Sequence, residues 1–345
     1  MAFSPFSARE FLQAWRDWTG PSRDLTKAFV SGRLSQHLTA SRLGPFNIRS
    51  FPWVGYGDYL DFPFCGQPNM EIVALLEELK EDREWDLLVL PNLLDDSPTL
   101  ANIRDMAPWY GLTCQVLEVG VAPYLRLEGN WQAFYGTRPR KFRQNLKWSE
   151  KRLAHFGRVE FIHCVGEESL DEWLNWAFRI YAGRWKGRYT SSTFLSSGRE
   201  FYRLFAIYMA RQGCLDLAFI TIDGQPIAFC YALIYGGCYY YYVAAMDSDP
   251  RYVAFSPGTL LLKHLIECAF EKGLSRFDFM LGNEPYKYRW TETARSVFTL
   301  LVANPAAAKS RLALSLYIQV NRFRDKLRSS KTVRWLADRI LSAPS

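Results

Sequence analysis

The sequence is poor in the residues that build metal centres and disulfide frameworks. Its seven cysteines (65, 114, 164, 214, 230, 238 and 268) form no Cys-x-x-Cys pair. Its four histidines (37, 155, 163 and 264) stand at no ligand spacing and in no His-Glu-x-x-His arrangement. No metal is therefore expected, and cysteines such as Cys230, set between Phe229 and Tyr231, read as buried, reduced thiols of a cytoplasmic protein. A secretory leader is also missing from Met1 to Glu10, where no basic stretch precedes an apolar one. Charged residues make up 22% against 49% hydrophobic and 16% aromatic, which excludes a disordered linker, a collagen-like chain or a coiled coil. Long apolar runs are scarce as well. The uncharged run from Pro226 to Met246 reaches membrane-span length, but Gly236-Gly237 interrupts it and four tyrosines (239–242) follow, so two strands around a turn fit it better than a span.

What is present suits a packed protein of about two domains, since 345 residues is roughly twice a common domain length. The formal charge of +7 is confined to residues 306–345, where nine Lys and Arg face only Asp325 and Asp338. Before that tail the signs balance. Helical spacing of Phe11, Leu12, Trp15 and Trp18 predicts an amphipathic helix over 8–19, and similar patterns predict helices over 70–82 and 98–110. Short strands are expected at 85–90, 114–119 and 123–128. A long basic helical stretch spans 130–154, with Arg138, Arg140, Lys141, Arg143, Lys147, Lys151 and Arg152 beside an apolar face of Phe142, Leu146 and Leu153. Such a face could meet phosphates, although basic helical faces are usually just solvated.

The second half is more explicit. Helices are expected at 168–183 and 197–212, then strands at 215–222, 227–235 and 239–245 joined by Asp223-Gly224 and Gly236-Gly237. Ser256-Pro257-Gly258 has the form of a helix start and Gly273 of a helix end, with Leu261, Leu262, Leu265 and Ile266 between them for packing on a sheet. Strands at 276–280 and 296–303 follow. A helix start offers backbone N–H groups and a partial positive charge, and a glycine there lets a phosphate come close.

This order of elements resembles that of a GNAT acyltransferase core. The segments Ser256-Pro-Gly-Thr-Leu-Leu261, Phe277-Asp-Phe279 and Gly282-Asn-Glu-Pro-Tyr-Lys-Tyr-Arg-Trp290 resemble the GNAT-fold acetyltransferases grouped with the cellulose-biosynthesis CelD proteins. Upstream, Trp131, Arg184-Trp185 and Ile220 to Ala228 extend the resemblance to about 85–305, and the group is related to the Fem-type aminoacyltransferases. The resemblance implies an α/β (α+β) fold of two GNAT-like domains, each a mixed, mostly antiparallel sheet flanked by helices. The N-terminal domain, 1–129, would shape the acceptor cleft. The acyltransferase domain would be 130–305, and 306–345 a basic amphipathic helical tail. It implies acetyl-CoA or another acyl-CoA as co-substrate, with Val243, Ala244 and Ala245 along the pantetheine and Ser256, Gly258 and Thr259 at the pyrophosphate. The loop departs from the commonest GNAT pattern, since the register from Arg251 gives Ala254 and Ser256.

Acyl transfer needs a base for the acceptor's proton, polarisation of the thioester and an acid for the leaving thiolate. Glu284 and Asp278 are the candidate bases, Tyr286 the acid and Lys287 a cation near phosphate or developing charge, with Arg184 and Trp185 toward the acceptor. Each also has a plain structural reading: Asp278 as a strand residue with a fixed partner, Lys287 as a solvated cation. The acceptor implied by the resemblance is a small molecule or a polysaccharide or envelope precursor, acylated on N or O. The tail suggests peripheral contact with the inner face of a membrane, and nucleic acid is not an expected partner. A Fem-like use of aminoacyl-tRNA and a non-catalytic scaffold role stay open as alternatives.

Overall fold

A computed structural model describes residues 4–20, 33–186, 193–195, 198–304, 307 and 309–329, with side chains described as far as Asn321. In the first half, α1 (Arg9–Thr19) buries Phe11, Leu12 and Trp15, and the short strands β1 (Thr39–Leu43) and β2 (Phe46–Ser50) form a hairpin. Next come α2 (Pro68–Glu81), β3 (Leu87–Leu94), α3 (Pro98–Met106) and β4 (Thr113–Arg126). Ser97 starts α3 by accepting the Leu100 amide on its hydroxyl. The basic stretch is two helices, α4 (Trp131–Gly136) and α5 (Arg140–Leu153), because Pro139 cannot continue the first. On α5, Leu146 and Leu153 are buried, whereas Arg140, Lys141, Lys147, Lys151 and Arg152 are exposed.

The second half runs β5 (Val159–Cys164), α6 (Leu170–Trp185), α7 (Arg199–Arg211), β6 (Leu215–Ile222), β7 (Gln225–Tyr235) and β8 (Cys238–Met246). It continues through the short α8 (Pro250–Val253), α9 (Pro257–Glu271), β9 (Arg276–Asp278) and β10 (Ala294–Ala303) to α10 (Ser310–Ser329). Asp223 (φ 48°) with Gly224 (φ 78°), and Gly236 (φ 57°) with Gly237 (φ 73°), put two consecutive residues at positive φ. That geometry matches the right-handed strand twist of two-residue hairpins. The run 226–246 is thus a pair of sheet strands, and no helix among the described residues is long and apolar enough to cross a membrane.

All ten strands join one mixed sheet in the order β1-β2-β3-β10-β4-β9-β8-β7-β6-β5, with β2/β3 and β8/β9 the parallel neighbours. The boundary drawn at 129/130 assigns β10 to the second half of the sequence, yet in the sheet it lies between β3 and β4 of the first half. The chain therefore returns to finish the first half's sheet. The two strands expected at 114–119 and 123–128 are one, β4, which pairs with β10 as far as Pro123 and with β9 from Tyr124 onward.

Three cores result. The largest gathers α1, α6 and α7 over one face of the sheet, and its Phe11, Trp15, Phe201 and Phe205 make edge-on ring contacts. On the opposite face of β6–β9, α9 buries Leu260, Leu261, Leu262, Leu265 and Ile266 against Tyr239, Tyr241 and Phe277. Each of those side chains contributes about 1.5–3 kcal/mol of apolar burial. A third core seats Ala313 and Leu314 of α10 on Phe46, Ile48, Leu87 and Leu301. The first helix of the expected basic tail is thus docked by one face, while Leu312, Leu316 and Val320 on another are exposed. The second expected tail helix lies outside the described residues. The cysteines are all unpaired, but only Cys164, Cys230 and Cys238 are buried and Cys65 is exposed.

Candidate active site

Strand β8 carries large side chains in its first half and small ones in its second. Tyr239 stacks on Phe277 at 4.9 Å, and Tyr240 pairs with Asp278 in the ladder. Beyond Tyr240 the parallel pairing with β9 stops. Met280, at φ 64°, turns the chain away, and the amides of Phe279 and Gly282 donate to Pro123 and Val121 of β4. Strand β8 continues to Met246 bonded to β7 alone. A wedge opens where β9 departs, and its β8 wall is made of the half-buried Ala244 and Ala245.

A cavity of about 250 Å³ occupies this region. Tyr241, Ala244, Ala245 and Met246 line it from β8, Ser256, Gly258 and Thr259 from the start of α9, Arg184 from the end of α6, and Tyr286 from the loop after β9. Ser256 adopts a left-handed conformation (φ 51°, ψ 56°) and its hydroxyl makes no capping bond, unlike the ordinary N-cap its sequence suggested. Its carbonyl accepts the Thr259 amide at 2.8 Å. The helix start adds the positive end of its dipole to the cavity wall. Burial raises the Tyr286 hydroxyl above its ordinary pKa, so it stays protonated at neutral pH.

The remaining candidates lie elsewhere. Val243 pairs with Tyr231 and packs into the core beneath α6 and α7, and Trp185 closes α6 beside Tyr181. Neither lines the cavity. Lys287, expected near phosphate, is buried: its Nζ donates to the carbonyls of Met280 and Leu281 at 3.0 Å each and to Gly282 at 3.4 Å. It also pairs with Glu284 at 2.8 Å, and the Glu284 carboxylate is about half exposed and outside the cavity lining. A cation buried against carbonyls and one carboxylate ties the loop 280–287 together.

Asp278 is fully buried, with Oδ1 accepting the Tyr59 hydroxyl at 2.6 Å and the Met280 amide at 2.8 Å. Burial pushes its carboxyl up to about 6. A neighbouring carboxylate escaped the sequence reading. Asp58 accepts the Leu281 amide at 3.3 Å, is only partly buried as a residue, and is likewise pushed up to about 6 by desolvation. Lys287 opposes that shift, and Asp278 and Glu284 add to it. The available signal was local: Asp58 and Asp61 are the only charges in the aromatic run from Phe51 to Phe64, and charges in such a run need partners. Asp61 has its own in Ser97, Thr99 and the Phe62 amide.

Residues 140–288 match the family model described as an acetyltransferase (GNAT) domain, a span that includes every residue lining the cavity. The match covers less than half of the chain; this part is similar to GNAT-type acetyltransferase domains, which makes the protein an enzyme of the acyltransferase class. No curated protein matches the chain. Among solved structures, L-PGS from Bacillus licheniformis is similar with a TM-score of 0.54 at 12% identity, over 88% of this chain and 96% of that one. The C-terminal domain of a putative lysylphosphatidylglycerol synthetase from Agrobacterium fabrum gives 0.51 at 14%, over 90% and 96%. FemX gives 0.51 at 11%, over 93% and 99%. At such identities the likeness is one of fold. It extends over both halves, and a membership in the CelD-type group is not among these findings.

Proposed function

We propose that the protein is an acyl-CoA-dependent acyltransferase, with acetyl-CoA the expected donor, acting on an amine or hydroxyl of a small-molecule or glycan-precursor acceptor. The observation that carries this reading is the cavity in which the wall of β8 beyond its pairing with β9 meets the start of α9. An extended pantetheine would lie along Ala244 and Ala245, without Val243, and bond to the strand edge. Its pyrophosphate would meet Ser256, Gly258 and Thr259 at the positive helix end. The acceptor atom would attack the thioester carbon, the C–S bond would break, and Tyr286 would give its proton to the departing thiolate. The acceptor's own proton would pass to Asp58. Asp58, like Asp278 and Glu284, is not among the residues lining the cavity; it is preferred because Asp278 is fully buried and Glu284 is paired with Lys287.

The family resemblance suggests an acceptor linked to polysaccharide or cell-envelope precursors, and the basic tail suggests the inner face of a membrane. The apolar stripe Leu312, Leu316 and Val320 beside the basic tail supports a peripheral contact there. An aminoacyl-tRNA donor is the second reading. It is favoured by the fold likeness to FemX over both halves and by a second cavity of about 520 Å³ edged by Arg138, Lys141 and Arg289.

Calorimetric titration with CoA and acetyl-CoA separates them. A Cβ on Gly258 would meet Met246 at 3.7 Å, an ordinary contact, so Gly258→Asp should fold while placing a negative charge against the phosphates. Saturable binding lost in that variant supports the CoA reading. Absence of binding to folded wild type, with salt-sensitive binding of aminoacyl-tRNA, supports the other.

A further inference from the structure

Histidines 163 and 264 are too far apart in sequence to suggest a site, but the fold brings them together. His163 lies on β5, the last strand of the sheet, and its Nε2 is 3.0 Å from Nε2 of His264 on α9. One turn further along α9, Cys268 Sγ is 3.5 Å from the same His264 nitrogen. These three ligand atoms lie within 4.8 Å of one another, and all three residues are partly buried.

The surroundings orient them as ligands. Asp216, fully buried on β6, holds Nδ1 of His163 at 2.7 Å, and its other oxygen accepts the Tyr239 hydroxyl at 3.0 Å with Lys272 at 3.6 Å. With Nδ1–H donated to that carboxylate, the lone pair of His163 is left on Nε2, facing the cluster. A carboxylate behind a histidine in this way fixes the tautomer and raises the basicity of metal ligands. The His264 ring is held by stacking on Phe161 at 4.1 Å and 17°. Two imidazole nitrogens and a thiol converging from a strand and a helix form a borderline-soft donor set.

We propose that His163, His264 and Cys268 bind one zinc ion, with the fourth position open to water. Binding exchanges the Cys268 thiol proton, released to solvent, for a Zn–S bond. The ion ties α9 to the edge strand β5. It lies on the same helix whose start faces the candidate donor cavity, but the proposal does not depend on what occupies that cavity.

The test uses the full-length protein after chelator stripping, titrated with zinc alone against a chromophoric chelator, and separately with Co²⁺. One zinc per chain is expected with a Kd below about 1 μM, together with a rise in Tm. Cobalt should give a thiolate charge-transfer band that Cys268→Ser abolishes. Asp216→Asn, which keeps the ligands, should weaken zinc about 10–100-fold. Cys268→Ser changes one sulfur to oxygen at a partly exposed position, so it keeps the test open even where a histidine variant fails to fold. Absence of stoichiometric zinc on the folded wild type, or equal zinc affinity in wild type and Cys268→Ser, overturns the proposal.

Discussion

Replacing Asp278 by Asn separates a structural role from a catalytic one. The side chain is fully buried, and burial raises its carboxyl from 3.8 to about 6. A carboxyl that binds its proton more tightly in the folded state stabilises the fold fully below the unfolded value. That stability is lost as pH rises through the folded one. A rise from 3.8 to about 6 corresponds to about 2 kcal/mol of stability lost between pH 4 and 7.5, part of the effect being already gone at pH 4. Asn removes this ionisation while its Oδ1 can still accept from Tyr59 and Met280. Its Nδ2 would replace Oδ2, an atom that has no hydrogen-bond partner. In urea unfolding, Asp278→Asn should be about as stable as wild type at pH 4 and about 2–3 kcal/mol more stable at pH 7.5. Asp58 and Asp61, which burial also raises to about 6, add slopes of the same sign to both proteins. A difference between variant and wild type that is equal at both pH values would refute the reasoning. Turnover of this variant should stay within about tenfold of wild type, whereas a loss of 10²–10⁴ would restore Asp278 as the base.

The other expectations concern the proton path and the tail. Asp58→Asn should cut turnover at least about 100-fold with little change in CoA affinity. In wild type, kcat/KM should rise with pH through about 6 as that carboxyl ionises beside Lys287, Asp278 and Glu284, and a flat profile would remove Asp58 from the chemistry. Tyr286→Phe should lower kcat by about 10–100-fold without weakening CoA, and unchanged kcat would reassign the leaving-group acid. Leu314→Ala should cost about 2 kcal/mol in chemical unfolding, because that side chain packs on Phe46, Ile48 and Leu301. An effect near zero would mean that the helix docks without contributing to the core. For the same reason removing α10 to test membrane contact would strip Ala313 and Leu314 from the core along with the charge.

Local rules made the second half readable. Asp223-Gly224, Gly236-Gly237 and the span from Ser256 to Gly273 each combine a turn or cap requirement with strict hydrophobic periodicity, and the observed elements follow them closely. What stayed hidden is nonlocal. Nothing near Ala294–Ala303 signals that it pairs with β3 and β4, because partner choice between apolar strands depends on the whole sheet. The strands expected separately at 114–119 and 123–128 are one, and Pro123 sits where its ladder passes from β10 to β9. Lys287 read as a cation near phosphate, or else a solvated one, because the sequence does not report that three carbonyls converge on its ammonium. Of the cavity, Ala244 and Ala245 of β8 and Ser256, Gly258 and Thr259 of α9 were legible through the resemblance, whereas Val243 was misplaced and Tyr241 and Met246 were missed. Asp58, brought in from the other half, and the His163, His264 and Cys268 cluster required the fold.

The most direct test of the central claim is the titration of folded wild type and Gly258→Asp with CoA. Saturable one-to-one binding by wild type and its loss in the variant are expected. No binding by wild type, or equal binding by both proteins, would contradict a donor site at the meeting of β8 and α9.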